Sequence, residues 1–323
     1  MKELSESFRK VDYTLRPAKQ VERRMLIDAF QLLSEAGFQV RDYQYTGMGS
    51  IHFADFSLFH KFLGIENMLS VEISDKIEKR IGFNVPFKGL IEVHTGQPIG
   101  DFIATLKEDR KHVLWLDYDN VLSNDMLQDI TLAVSLLSRG SILLVTVDTE
   151  PPGTIGSGNE KPAGKPENTL AYFEREAKQY LAPMGNPSDY KYENLPKVNI
   201  KAIKGAIETG EKGREIDFML LFNFLYSDGN RMLTIGGIMA AGYDRRSIKH
   251  SRLGRTDYIR SDWRQEPFKI VVPRLTRKEQ LHLESNMPCK DGWTPREFEM
   301  SKEEVRQYAR IYRFFPTYAE LLL

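Results

Sequence analysis

Tyr45-Thr46-Gly47-Met48-Gly49-Ser50 is the stretch that decides the fold, together with Glu72, which stands 23 residues after Gly49. Residues 40–46 read as a strand running into the glycines, and 53–63 carry the spacing of a helix running out of them. Glycine suits such a turn because a side chain there would keep the backbone from approaching a ligand. Residues 68–73 form a short apolar strand closing on Glu72. An acid at that place can accept hydrogen bonds from both hydroxyls of a ribose. Strand, glycine turn, helix and acid in this register point to a ligand that carries a nucleoside.

The same alternation continues outward. Residues 90–94 read as a third strand followed by Thr95-Gly96-Gln97, and 112–116 as a fourth ending in Asp117-Tyr118-Asp119-Asn120. A helix over 125–137 leads to a fifth strand, 141–147, which closes on Asp148. Residues 216–226 read as a strongly apolar helix, 232–241 as a sixth parallel strand and 268–272 as a short seventh. Strands alternating with helices predict an α/β fold, a doubly wound, seven-stranded, mostly parallel sheet. The chain divides into an N-terminal helical segment (1–37), a ligand-binding core (38–150), an insertion or lid rich in Pro, Gly, Asn and Lys (151–212), the rest of the sheet with a basic loop (213–275), and a helical tail (276–323).

Composition narrows the class. At 323 residues and 41% hydrophobic, the chain can bury one large core. The 45 basic and 45 acidic side chains balance, so the whole molecule has no bias toward nucleic acid or membrane. Cys289 is alone, which excludes an intrachain disulfide and a cysteine-rich zinc site. No apolar run approaches the roughly 20 residues that span a bilayer, and residues 1–10 lack an apolar signal-peptide core. The expectation is a cytoplasmic protein with no membrane partner.

The turn also discriminates between nucleoside ligands. A dinucleotide site uses a third glycine to bring the helix N-terminus onto the pyrophosphate. This chain has Ile51, His52 and Phe53 there. S-adenosylmethionine (SAM) has no phosphate and does not need that anion site, so the departure favours SAM over NAD.

Residues 38–148 and 213–273 resemble the class I SAM-dependent methyltransferases, whose fold is Rossmann-like. The resemblance implies a cofactor site in which Gly47 and Gly49, with Tyr45, Thr46 and Ser50, lie under the methionine part of SAM and Glu72 holds the ribose. It places Thr95, Gly96 and Gln97 beside the adenine, and Asp117 and Tyr118 facing the methyl group. The family often has an acid two residues before the first glycine, where this chain has Tyr45. Through Arg16-Pro17-Ala18-Lys19-Gln20 and the 45–50 stretch, the chain is similar to bacterial proteins labelled as O-methyltransferases. An unidentified methyl acceptor is thereby implied.

Several roles remain open for the acids. Asp117 or Asp119 suits a general base that activates a hydroxyl. Metal-dependent small-molecule O-methyltransferases hold magnesium with acids after strands four and five, which would make Asp117 and Asp148 its ligands, although Thr149 stands where that pattern has Asn. Otherwise Asp117 contacts the cofactor amine and Asp119 caps the following helix. Asp117 is not followed by Pro-Pro and an aromatic, which argues against N-methylation of nucleic-acid bases. The basic 245–264 segment, interleaved with Tyr258 and Trp263, is either a solvated loop or a nucleic-acid contact on the pocket edge. Arg16, Lys19, Arg23 and Arg24 read as the polar side of an amphipathic helix. A non-catalytic SAM- or nucleotide-binding protein is the competing reading.

Overall fold

The computed structural model of the protein describes residues 16–107, 109–153 and 165–316. The Gly- and Pro-rich stretch of the expected lid, 154–164, and the end of the tail, 317–323, lie outside these residues. In chain order the elements are α1 (Pro17–Glu35), β1 (Gln44–Gly47), α2 (Ala54–Leu63), β2 (Asn67–Glu72), α3 (Glu78–Asn84), β3 (Ile91–Thr95), α4 (Ile99–Ile103), β4 (His112–Val121), α5 (Asn124–Leu136) and β5 (Ile142–Asp148). They continue with α6 (Pro166–Glu176), α7 (Leu195–Gly210), β6 (Asp217–Asp228), β7 (Asn230–Ala240), α8 (Gly242–His250), β8 (Phe268–Ile270), α9 (Arg277–Ser285) and α10 (Lys302–Ile311). No helix among the described residues is long and apolar enough to cross a membrane.

The strands make one sheet in the order β3-β2-β1-β4-β5-β7-β6-β8, so the winding reverses at β1. β1 pairs in parallel with β2 on one side and β4 on the other. Open α/β sheets bind ligands outside the carboxyl ends of the strands at such a reversal. Helices cover both faces. One core layer joins Met25 and Phe30 of α1, Phe56 and Phe59 of α2, and Trp115 and Phe222 of the sheet. The other joins Ile130 and Val134 of α5, Phe173 of α6, Ile203 of α7, and Leu220 and Ile235 of the sheet.

The structure corrects the reading at three places. Residues expected as a helix over 216–226 are β6, the strand that raises the count from seven to eight. Its side chains are buried on both faces, so no alternation marks it, and a continuous apolar run fits a buried strand as well as a helix. Asp228-Gly229, with Gly229 at φ 113°, turns β6 directly into β7. Consequently β7 is antiparallel to both β5 and β6, not a sixth parallel strand. Its end, and the basic segment after it, lie at the edge of the sheet opposite the crevice. Finally, the second half of the 151–212 insertion is the crossover helix α7, whose Ile203, Ala206 and Ile207 are buried in the core.

Phe222 of β6 is fully buried and meets Phe30 of α1 edge to face, with ring centroids 6.3 Å apart. Phe222→Ala should cost about 3–5 kcal/mol in denaturant unfolding. A loss below about 1 kcal/mol would contradict the placement of β6 inside the sheet.

Candidate functional site

The glycine turn leaves the carboxyl end of β1 and is tied to the end of β2. The Gly49 N–H donates to Ser70 Oγ (3.0 Å), and the Ser50 N–H donates to Glu72 Oε1 (2.7 Å). Ser70 Oγ donates to the same Glu72 oxygen at 2.9 Å. The Gly49 N–H also acts on the Glu72 carboxylate. Burial pushes the Glu72 carboxyl above its ordinary range, against the opposing pull of the Ser50 and Ser70 hydrogen bonds. The glycines are required by the turn's own packing. A Cβ on Gly47 would meet the Tyr45 hydroxyl at 2.5 Å, and one on Gly49 would meet the Phe53 ring at 2.6 Å and Ser70 Oγ at 2.9 Å.

Tyr45 and Thr46 are fully buried, so their side chains do not line the crevice as the cofactor contacts expected of them. The Tyr45 ring packs edge to face on Phe56 and Phe59, and its hydroxyl donates to the Asp55 carboxylate of α2. Arg23 of α1 pairs with the same carboxylate at 3.2 Å. The turn after β3 sits beside the end of β2: Glu72 is in register with Thr95, and the Gly96 N–H donates to the Glu72 carbonyl at 2.9 Å. Gly96 adopts φ 76°, a conformation that favours glycine, and Gly96 and Gln97 are exposed. Ile73, directly after Glu72, is 64% exposed. The sequence reading missed it; an apolar residue following the strand-two acid was the available signal.

Asp117 and Tyr118 do not form a turn. β4 continues to Val121 through an irregularity between Asp117 and Val121. Asp117 Oδ1 accepts from Lys19 Nζ at 2.7 Å, and its side chain remains 26% exposed. Burial works against its ionisation, but the Lys19 ammonium, with Arg23 and Arg16, outweighs it and holds the carboxyl below the usual range. Lys19 itself is 1% exposed and also lies 2.9 Å from Glu22 Oε2. The N-terminal basic cluster is therefore not a solvated helix face: Lys19, Glu22 and Arg23 are all buried, as the largely buried α1 requires. Tyr118 donates to Asp129 of α5 at 2.7 Å. Asp119 is exposed and accepts from Asn120 at 2.8 Å, while Ser123, not Asp119, caps α5.

The expected magnesium ligands do not form a donor set. Asp117 already faces an ammonium, and both Asp148 oxygens are engaged, Oδ1 by the Glu150 N–H (2.7 Å) and Oδ2 by Asn230 (2.6 Å). No cluster of three or more His, Cys, Asp or Glu suited to a metal exists among the described residues. These residues do not fit a metal site.

The basic 245–264 segment is likewise occupied structurally. Arg245 pairs with Asp217, Arg252 with Glu35 and Arg264 with Asp262. Tyr258 is buried and donates to Asp28 at 2.7 Å, and the Trp263 ring lies against Phe218. From the far edge of the sheet it cannot wall the crevice. The insertion does reach the crevice side. Tyr172 of α6 donates to the Leu122 carbonyl (3.1 Å) in the loop after β4, and Glu176 accepts from the N–H of Asn124 (3.1 Å), the first residue of α5.

No curated protein matches the chain. Similar solved structures include a Methanococcus jannaschii fibrillarin pre-rRNA processing protein, at 12% identity and TM-score 0.35, covering 62% of this chain and 68% of that one. Trm1 from Pyrococcus horikoshii, in complex with S-adenosyl-L-methionine, is 11% identical at TM-score 0.43, covering 72% of this chain and 58% of that one. The O-methyltransferase TomG from Streptomyces achromogenes, in complex with SAM, is 13% identical at TM-score 0.36, covering 71% and 91%. A family model described as "Putative O-methyltransferase" matches residues 11–323, nearly the whole length, and the chain belongs to that family.

Proposed function

We propose that the protein transfers a methyl group from SAM to a hydroxyl oxygen of its acceptor. The observation that carries this reading is the closure of Glu72 Oε1 on the Ser50 N–H at the strand-order reversal. The residues fit the cofactor. Glu72 has an oxygen to offer ribose hydroxyls, Ile73 offers an apolar surface for a base, and Gly96 and Gln97 border the same corner. SAM supplies an electrophilic methyl carried on a positively charged sulfur. The chain supplies charge and orientation. Asp117 remains negative near the end of β4 and, among the described residues, only its Oδ1 accepts a hydrogen bond, which suits Oδ2 to accept one from the acceptor hydroxyl. Its lowered pKa makes it a weak base, so its part is to orient the acceptor hydroxyl while the proton leaves to solvent.

Calorimetry should show saturable binding of SAM, and no binding at millimolar cofactor would sink the reading. Glu72→Gln should weaken that binding about 10- to 100-fold, the loss of a charge-assisted hydrogen bond worth about 1.5–3 kcal/mol. Because the Glu72 carboxyl titrates above its ordinary range, wild-type affinity should start to fall, as the pH is lowered, before an ordinary glutamate would protonate. Glu72→Gln should abolish that dependence, and an unchanged pH profile in the variant would assign it to another group.

In a methyl-transfer assay, Asp117→Asn should lower kcat by about 100-fold, the scale set by misplacing a reacting group, and leave SAM affinity nearly unchanged. Equal losses in kcat and in SAM affinity would instead make Asp117 a cofactor ligand.

A further inference from the structure

We propose that Lys19 is a positioning residue for the reaction: α1 delivers its ammonium to the end of β4 and fixes the Asp117 carboxylate there, which makes α1 part of the site. The inference rests on the role proposed above for Asp117.

The Lys19 ammonium is buried among charged and aromatic partners. It donates to Asp117 Oδ1 (2.7 Å) and the Tyr226 hydroxyl (3.2 Å), forms an ion pair with Glu22 Oε2 (2.9 Å) without a hydrogen bond to it, and lies 4.4 Å from the centroid of the Trp115 ring. Trp115 precedes Asp117 by two residues on the same face of β4 and donates from Nε1 to Thr146 Oγ1 of β5 at 3.0 Å. Thr146 in turn bonds Thr234 of β7 at 2.8 Å. Asp228, at the β6–β7 turn, accepts from the backbone N–H groups of Ala18 (3.0 Å) and Lys19 (2.8 Å). The first turn of α1 is therefore pinned to the sheet, and Lys19 cannot swing away from β4.

The energetics favour a functional reading. Removing an ammonium from water costs several kcal/mol, and well-packed apolar side chains in place of a buried ion pair are often as stable or more so. Stability alone thus gives little reason to bury Lys19 beneath a ring of aromatics. What an apolar residue cannot do is hold a carboxylate at one fixed orientation. Five groups act electrostatically on Asp117 or respond to it: Lys19, Arg16 and Arg23 of the α1 region, Tyr45 of β1 and Tyr226 of β6. Of the three cations, Lys19 is in direct contact, and Arg23 is turned to Asp55.

The test is a double-mutant cycle on the full chain with Lys19→Met, Asp117→Asn and the combination. For Lys19→Met alone we expect kcat to fall about 100-fold, with SAM affinity by calorimetry changed less than about threefold. In the Asp117→Asn background the same change should cost less than about threefold, because its target is already lost. A Lys19→Met protein with kcat within about threefold of wild type overturns the proposal, as does an additive loss in the Asp117→Asn background. Thermal unfolding of the four proteins reads the pair without turnover. Non-additive shifts in Tm are expected, and additive ones count against the contact itself. If the coupling in Tm is present but the wild type transfers no methyl group, the reading of the reaction fails while the Lys19–Asp117 contact stands. Should Lys19→Met not fold, Lys19→Met/Glu22→Gln, which removes one buried charge of each sign, takes its place in the cycle.

Discussion

The reversal of strand order at β1 is the constraint on which the rest depends. It leaves the carboxyl ends of β2, β1 and β4 side by side with the chain departing in opposite directions, so a crevice must open there. The crevice has chemical content because the Glu72 carboxylate reaches across to the Ser50 N–H. That bond helps to hold a turn containing two non-glycine residues in the left-handed region, Ser50 at φ 53° and Phe53 at φ 47°. Such residues cost about 1–3 kcal/mol each and persist where surrounding contacts over-determine them. Here the contacts are the Gly49 bond to Ser70, the Phe53 bond to the Gly49 carbonyl and the burial of Phe53 beneath the turn.

A second set of constraints ties the N-terminal helix to the same corner. Lys19, Glu22 and Arg23 are buried against Asp117, Asp55, Tyr45 and Tyr226, so charges from α1, α2 and β4 and tyrosine hydroxyls from β1 and β6 form one group. Losing any member would strand a partner charge in a poorly solvated place. The helix α1 is thereby committed to the geometry of Asp117 on β4, the strand next to β1.

How much of this was legible depends on what each segment buries. Strands β1 to β5 and helices α2 and α5 were readable because short apolar runs end in Gly, Asp or Ser at the turns the fold needs. Glu72 was readable for the same reason, being a polar residue placed at a strand terminus. β6 was not, since 216–226 is apolar on both faces; the Asp228-Gly229 pair between two apolar runs was the overlooked hairpin signal. The misplaced basic segment followed from that error, because one missing strand reverses the direction of β7. Lys19 and Arg23 resembled an exposed face because helical spacing reports which residues align, not which of two covered sides they meet. Tyr45 in place of an acid looked like a defect, whereas α2 brings Asp55 to its hydroxyl, a long-range contact that no local pattern encodes. The magnesium reading rested on two acids at neighbouring strand ends and fails because each is already occupied, by Lys19 in one case and by Asn230 and the Glu150 N–H in the other.

The most direct test of the central claim is a crystal structure of the protein soaked with SAM. The account predicts cofactor density over the carboxyl ends of β1 and β2, with Glu72 within hydrogen-bond distance of the ribose hydroxyls and the 47–50 backbone alongside the methionine part. Cofactor bound at the opposite edge of the sheet, or in the crevice with Glu72 turned away from the sugar, would contradict it.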